Sequence, residues 1–225
     1  MSFTSTQLAA FIDHTLLKPD ASAAQIEKLC AEAREHEFFS VCVNGSWVAA
    51  ARHHLEGSEV KVACVVGFPL GAMAVDVKRY ETEVAVDDGA HEIDVVLNIA
   101  RLKALDDKYV LRELIDVVEA ADERTVKVIL ETCLLTDEEK VRACNLVVDS
   151  GAHFVKTSTG FSTAGATIAD VKLMRATVGA KFGVKASGGV RDAQTALAMI
   201  EAGATRLGTS SGIAIVSGLS GSGSY

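Results

Sequence analysis

His153-Phe-Val-Lys-Thr-Ser-Thr-Gly160 and, further on, Phe182-Gly-Val-Lys-Ala-Ser-Gly-Gly189 share one frame, and that frame sets the fold the sequence predicts. Each is a short apolar run of strand length that ends on a lysine and passes at once into a turn of small, hydroxylated or glycine residues. A single lysine at a strand end is ordinarily a surface residue, its stem lying along the protein and its ammonium in water. Two in the same frame place Lys156 and Lys185 at matching positions of successive strands. An ammonium held there is disfavoured by desolvation and by repulsion from its neighbour, and an amine that is neutral near pH 7 is a nucleophile.

Working outward, strand-length runs recur at 11–15, 39–43, 60–66, 91–97, 126–131, 153–156, 182–186 and 205–208. Val60-Lys-Val-Ala-Cys-Val-Val66 and Thr125-Val-Lys-Val-Ile-Leu130 are nearly continuous and rich in β-branched residues, as expected of strands covered by helices. Helix signals stand between the runs: Asp20 to Glu27 opens one helix, Thr136-Asp-Glu-Glu139 is a capping box, and Asp192 caps the stretch from Ala193 to Ala202. From residue 39 onward the strand starts lie 21 to 35 residues apart, the interval of repeated strand-helix units. The prediction is an α/β fold, a (β/α)8 TIM barrel occupying 1–225 as a single domain, with 218–225 as a flexible tail. An open doubly wound sheet that binds a dinucleotide would carry a GxGxxG turn after its first strand, and the sequence has none.

Composition narrows the function. With 225 residues, a formal charge of -8 and no basic stretch, the chain is not expected to bind nucleic acid or an anionic membrane, so any phosphate must be held locally. Five cysteines without a CxxC pair fit a reduced compartment. The N-terminal residues show no leader pattern, and no window approaches the ~18 apolar residues of a membrane span, so the expected location is the cytoplasm.

In a barrel of this kind the chemistry belongs at the C-terminal ends of the strands, on side chains that face the lumen. Lys156 and Lys185 occupy strands six and seven, with Phe154 and Gly183 facing the same way. Asp94 lies in an apolar fourth strand between Ile93 and Val95, where a buried carboxylate needs a cation, and Lys185 is the candidate. Lys127 alternates with Ile129 and Glu131 and is either a third lumenal lysine or, if the register shifts by one, a surface residue. The turns Ser187-Gly-Gly-Val-Arg191 and Gly208-Thr-Ser-Ser-Gly212 offer Gly188, Gly189, Gly208, Thr209, Ser210 and Ser211 ahead of helices, where backbone N–H groups favour phosphate, and Thr157, Ser158 and Thr159 add hydroxyls. Cys42 is a strand-end thiol, either reactive or packed, and Asp13-His14 either lines the mouth or forms a structural hydrogen bond. His53-His54 has no companion ligands, which points to a solvated or capping role and not to a metal.

Three segments, His153-Phe-Val-Lys-Thr-Ser-Thr-Gly160, Val184-Lys-Ala-Ser-Gly-Gly-Val-Arg191 and Glu92-Ile-Asp-Val-Val-Leu-Asn98, closely resemble the signatures of the deoxyribose-phosphate aldolase family. The likeness runs in order from Ile12-Asp-His-Thr-Leu-Leu-Lys-Pro19 through Val41-Cys-Val-Asn44 and Gly67-Phe-Pro-Leu-Gly71 to Leu207-Gly-Thr-Ser-Ser-Gly212. The resemblance implies a class I aldolase of deoxyribonucleotide catabolism and carbohydrate degradation. Such an enzyme cleaves 2-deoxy-D-ribose 5-phosphate reversibly to D-glyceraldehyde 3-phosphate and acetaldehyde, through a lysine Schiff base and without metal or other cofactor. By the same resemblance Lys156 is the Schiff-base lysine, Lys185 the neighbour that perturbs it and Asp94 the proton-relay carboxylate. Tyr225 matches a tyrosine that reaches the site, and the chain is expected to form a dimer or tetramer. Gly45 stands where many relatives have proline, and Phe161 where some have a lysine near the phosphate. The competing expectation is a metal-free phosphosugar isomerase or lyase on the same barrel, with Lys156 an electrostatic anchor, and behind it a phosphosugar-binding protein without turnover.

Overall fold

Residues 3–218 are described by the computed structural model, and the segment 219–225, which includes most of the expected tail and Tyr225, lies outside them. Eight parallel strands pair in chain order and the last pairs with the first, closing a barrel. They are β1 (Ile12–Thr15), β2 (Ser40–Val43), β3 (Lys61–Val66), β4 (Glu92–Val96), β5 (Thr125–Ile129), β6 (Phe154–Lys156), β7 (Gly183–Ser187) and β8 (Arg206–Thr209). The connecting helices include α2 (Ala23–Glu35), α3 (Val48–His54), α4 (Val75–Asp87), α6 (Asp107–Ala120), α7 (Asp137–Asp149), α8 (Ile168–Val178) and α9 (Ala193–Glu201). Short helices α1 (Ser5–Ala9), α5 (Ile99–Lys103) and α10 (Gly212–Val216) complete the set. None of these helices is long and apolar enough to cross a membrane.

The local signals act as caps at most of the expected places. Thr136 forms a capping box with Glu139 at the start of α7, and the Asp192 carboxylate accepts the Thr195 N–H at 2.8 Å at the start of α9. The second helix starts later than expected: Ser22, in a capping box with Gln25, sets its first turn at Ala23, and Asp20 stays outside. β8 runs on to Thr209, so Gly208 and Thr209 lie in the strand and not in the turn after it. The turn begins with Ser210.

Strand alternation divides the apolar residues into two groups. Ile93 and Val95 of β4 with Leu97 just after it, Val126 and Val128 of β5, and Val184 and Ala186 of β7 face outward into a continuous core beneath the helices. The lumen holds a small apolar group, Cys42, Ala63 and Val65 with Leu17 and Phe68 packed against it, and alternation adds Val96, Ile129 and Phe154. Between them stand the charged side chains of Asp13, Glu92, Asp94, Lys127, Lys156, Lys185 and Arg206. Arg206 lies toward the N-terminal end, its guanidinium 3.4 Å from the centre of the Phe39 ring and 5.4 Å from that of Phe154.

Gly183 is what allows Phe154 into this layer. The two are register partners, and a Cβ on Gly183 would come within 2.2 Å of the Phe154 ring. Gly183→Ala should therefore lower stability by about 1–3 kcal/mol through overpacking. Gly45→Ala, whose Cβ would meet nothing nearer than the Cys64 sulfur at 3.9 Å, should change it by less than ~0.5 kcal/mol, both read from urea unfolding.

Candidate active site

One carboxylate carries three lysines. Asp94, fully buried on β4, accepts from Lys127 Nζ at 2.6 Å on Oδ1 and from Lys156 Nζ at 2.8 Å and Lys185 Nζ at 2.7 Å on Oδ2. The β-ladder prepares this meeting: Asp94 is paired with Lys127, and Lys156 with Lys185, so all four side chains project to the lumen. Lys127 is thus the lumenal lysine that alternation allows. Lys156 and Lys185 face the same side and share one oxygen, and Asp94 has a wider set of partners than the single Lys185 expected from sequence.

Beneath this cluster lies a second tier. Lys127 also bonds Glu92 at 2.6 Å, Arg206 joins Glu92 at 3.0 Å to Asp13 at 2.9 Å, and Asp13 accepts from Lys185 through its other oxygen. Asp13 is therefore lumenal. Its neighbour His14 points the other way, onto Glu32 at 2.7 Å and the Phe38 ring. Arg206 and Glu92 were legible as partners only through alternation with Gly208 and Asp94, and the sequence analysis did not single them out.

The electrostatics separate the two strand-end lysines. For Lys185, burial alone would lower the pKa, but Asp13 and Asp94 hold it well above the ordinary lysine value. For Lys156, burial again lowers the pKa, Asp94 opposes it and the Lys185 charge reinforces it, so the net shift is downward. For Asp94, burial would raise the pKa, and Lys127, Lys156 and Lys185 overcome that to hold it well below the carboxylate range. If every group were ionised, the cluster would set the four cations Lys127, Lys156, Lys185 and Arg206 against the three anions Asp13, Glu92 and Asp94. It balances when one cation gives up its proton, and Lys156 is the one whose charged form is disfavoured. Cys42 sits in the same lumen fully buried, and burial pushes its thiol up, away from thiolate.

Above the lysines, the segments after β6, β7 and β8 meet. The Thr157 hydroxyl donates to the Ser187 carbonyl at 3.0 Å and accepts the Ser187 N–H at 3.0 Å, bracing β6 to β7. The Thr209 hydroxyl donates to Val190 O at 2.7 Å and accepts the Ser211 N–H at 2.9 Å. Gly188 and Gly189 are both left-handed, with φ of 82°, and Gly165 of the long β6–α8 segment packs so closely on Gly188 that a Cβ there would lie 2.1 Å from its carbonyl oxygen. The hydroxyls of Ser158 and Ser211 are buried here without a hydrogen-bond partner. Phe161 packs edge-on against Phe68, ring centres 5.1 Å apart. His53 lies far from this rim on α3, exposed and paired with Glu56 at 3.5 Å.

Glu131, which follows β5, entered the sequence analysis only as a mark of alternation. It is 3% exposed, has a left-handed backbone and bonds Thr159. No sequence motif announces that backbone, because glutamate is not a residue that favours it.

The sequence matches the DeoC/LacD family of aldolases over residues 8–218. It is 59% identical to the deoxyribose-phosphate aldolase of Brevibacillus brevis over 95% of this chain and 97% of that one, and 59% identical to that of Bdellovibrio bacteriovorus over 97% and 100%. The solved tetrameric deoxyribose phosphate aldolase of Aeropyrum pernix superposes with a TM-score of 0.89 at 33% identity, covering 95% of this chain and 91% of that one. Barrel, ionic lumen and sequence agree: the chain belongs to the DeoC/LacD aldolases, and among them to the deoxyribose-phosphate aldolases, which are aldehyde-lyases.

Proposed function

We propose that this aldolase cleaves 2-deoxy-D-ribose 5-phosphate reversibly to D-glyceraldehyde 3-phosphate and acetaldehyde through a Schiff base on Lys156. The observation that carries the proposal is the division of labour at Asp94 Oδ2: Lys185 is fixed as a cation there, and the Lys156 amine beside it is pushed toward neutrality. A neutral Lys156 attacks the aldehyde carbon, and loss of water from the carbinolamine gives an iminium. The iminium takes up the electron pair of the breaking carbon–carbon bond and becomes an enamine, while Asp94 and Lys185 pass on the proton of the substrate hydroxyl. Protonation of the enamine carbon and hydrolysis then release acetaldehyde and restore the amine.

The phosphate is assigned to the rim formed by Gly188, Gly189, Ser210 and Ser211. Support comes from the two buried, unpartnered hydroxyls of Ser158 and Ser211, which need a partner that a phosphate supplies. Thr157 and Thr209 brace that rim through their own internal hydrogen bonds, and Gly208 lies beside it on β8. A cytoplasmic location fits the five cysteines, all free thiols. Assembly into homo-oligomers is supported by the tetrameric Aeropyrum pernix relative and by the exposed apolar side chains Leu70, Val77 and Tyr80.

Borohydride reduction in the presence of acetaldehyde should leave a stable mass adduct that peptide mapping places on Lys156. An active enzyme that yields no adduct would favour the isomerase or non-covalent lyase, in which Lys156 is a charged anchor on Asp94. Lys185→Leu removes the cation that depresses Lys156 and frees Asp94 to pair with it, so the Lys156 pKa rises. Since the neutral amine is the reactive form, the acid limb of the pH–rate profile should move to higher pH and activity should fall, by roughly 100-fold or more. Ser211→Ala should raise KM for the phosphorylated sugar about tenfold and leave cleavage of unphosphorylated 2-deoxyribose nearly unchanged.

A further inference from the structure

Glu131 is the one buried carboxyl at the rim that the proposed chemistry leaves unused. Its residue is bracketed by backbone bonds to the strand that carries the reactive lysine: the Leu130 N–H donates to Lys156 O at 2.9 Å and the Thr132 N–H to Thr157 O at 3.0 Å. Between these two bonds the backbone turns left-handed, with φ of 56°, a conformation a glutamate holds only where its surroundings demand it. The turn aims the side chain at Thr159, whose N–H donates to Oε1 at 3.3 Å and whose hydroxyl donates to Oε2. The Thr159 hydroxyl in turn accepts the Phe161 N–H at 3.0 Å. The segment from Lys156 to Phe161 is thus tied to Glu131 at both ends.

We propose that Glu131 is a positioning residue for Lys156: its carboxyl clamps the Thr157–Thr159 turn and so holds the strand end that carries the amine against Asp94. This rests on the Schiff-base reading above. The Lys156 charge acts on Glu131 from β6, and the Cys133 thiol donates to Oε1 at 3.9 Å from its own turn. Among the described residues Lys156 forms an ion pair with Asp94 alone. Burial pushes the Glu131 carboxyl up, and the hydrogen bonds from Thr159 oppose that shift.

Four variants test the clamp. Glu131→Gln keeps a group of the same shape that still accepts the Thr159 N–H, and its kcat should stay within about threefold of wild type. Glu131→Gly removes the carboxyl but suits the left-handed backbone, so folding is retained. Its kcat should fall roughly tenfold or more with a smaller change in KM. Thr159→Val should reproduce that loss and Thr159→Ser should not. A loss in Glu131→Gln as large as in Glu131→Gly would show that the hydrogen bonds to Thr159 are not what positions the amine and would overturn the proposal. So would unaltered turnover in both Glu131→Gly and Thr159→Val. Reductive trapping of the wild type runs beside them. An adduct on Lys156 with unaltered variants sinks the clamp alone, and no wild-type adduct sinks the Schiff base and the clamp with it.

Discussion

Everything at the centre of this barrel depends on a single carboxylate oxygen accepting from two ammonium-forming groups at once. Lys156 and Lys185 reach Asp94 Oδ2 at 2.8 and 2.7 Å, with all three side chains buried. One carboxylate cannot compensate both charges, and Lys127 already draws on its other oxygen. The imbalance is resolved unevenly because Lys185 has Asp13 as a second anion and Lys156 has none among the described residues. The inequality between two chemically identical side chains thus comes from what stands behind each of them.

That inequality has a structural cost. Replacing a lumen of packed aliphatic residues with ionic groups gives up hydrophobic burial, and buried ion pairs seldom compensate fully for desolvation. The outward-facing core carries the stability instead: the β-branched residues of β4, β5 and β7 pack beneath the helices, where they have no part in the site. Stability and chemistry are assigned to opposite faces of the same strands. A one-residue slip of any strand would exchange them, which fixes register strongly.

Much of this was legible in the sequence because it follows from period and position. Strands ending in Lys156 and Lys185 at the same frame, a carboxylate between Ile93 and Val95, and the capping residues Thr136 and Asp192 are all local signals with one physical meaning. Lys127 was undecided because a period of two does not say which face is the lumen until the barrel closes. Arg206, Glu92 and Asp13 were harder still, since their roles come from contacts between residues as far apart in the chain as Asp13 and Arg206. Glu131 was the least accessible: its position depends on a backbone conformation that its residue type does not advertise. The second helix begins at Ala23, later than the stretch from Asp20 suggests, because Ser22 with Gln25 three positions on forms the capping box.

Arg206, buried against the Phe39 and Phe154 rings, stands at the N-terminal end of the lumen, opposite the rim. On the proposed chemistry the two-carbon fragment is tethered deep on Lys156, while the phosphorylated fragment lies above it at the lip. The glyceraldehyde phosphate must therefore vacate before the tethered fragment can be hydrolysed and leave. In the synthetic direction the same proposed chemistry would load acetaldehyde first, so the depth of Lys156 below the rim would set the sequence of traffic in both directions.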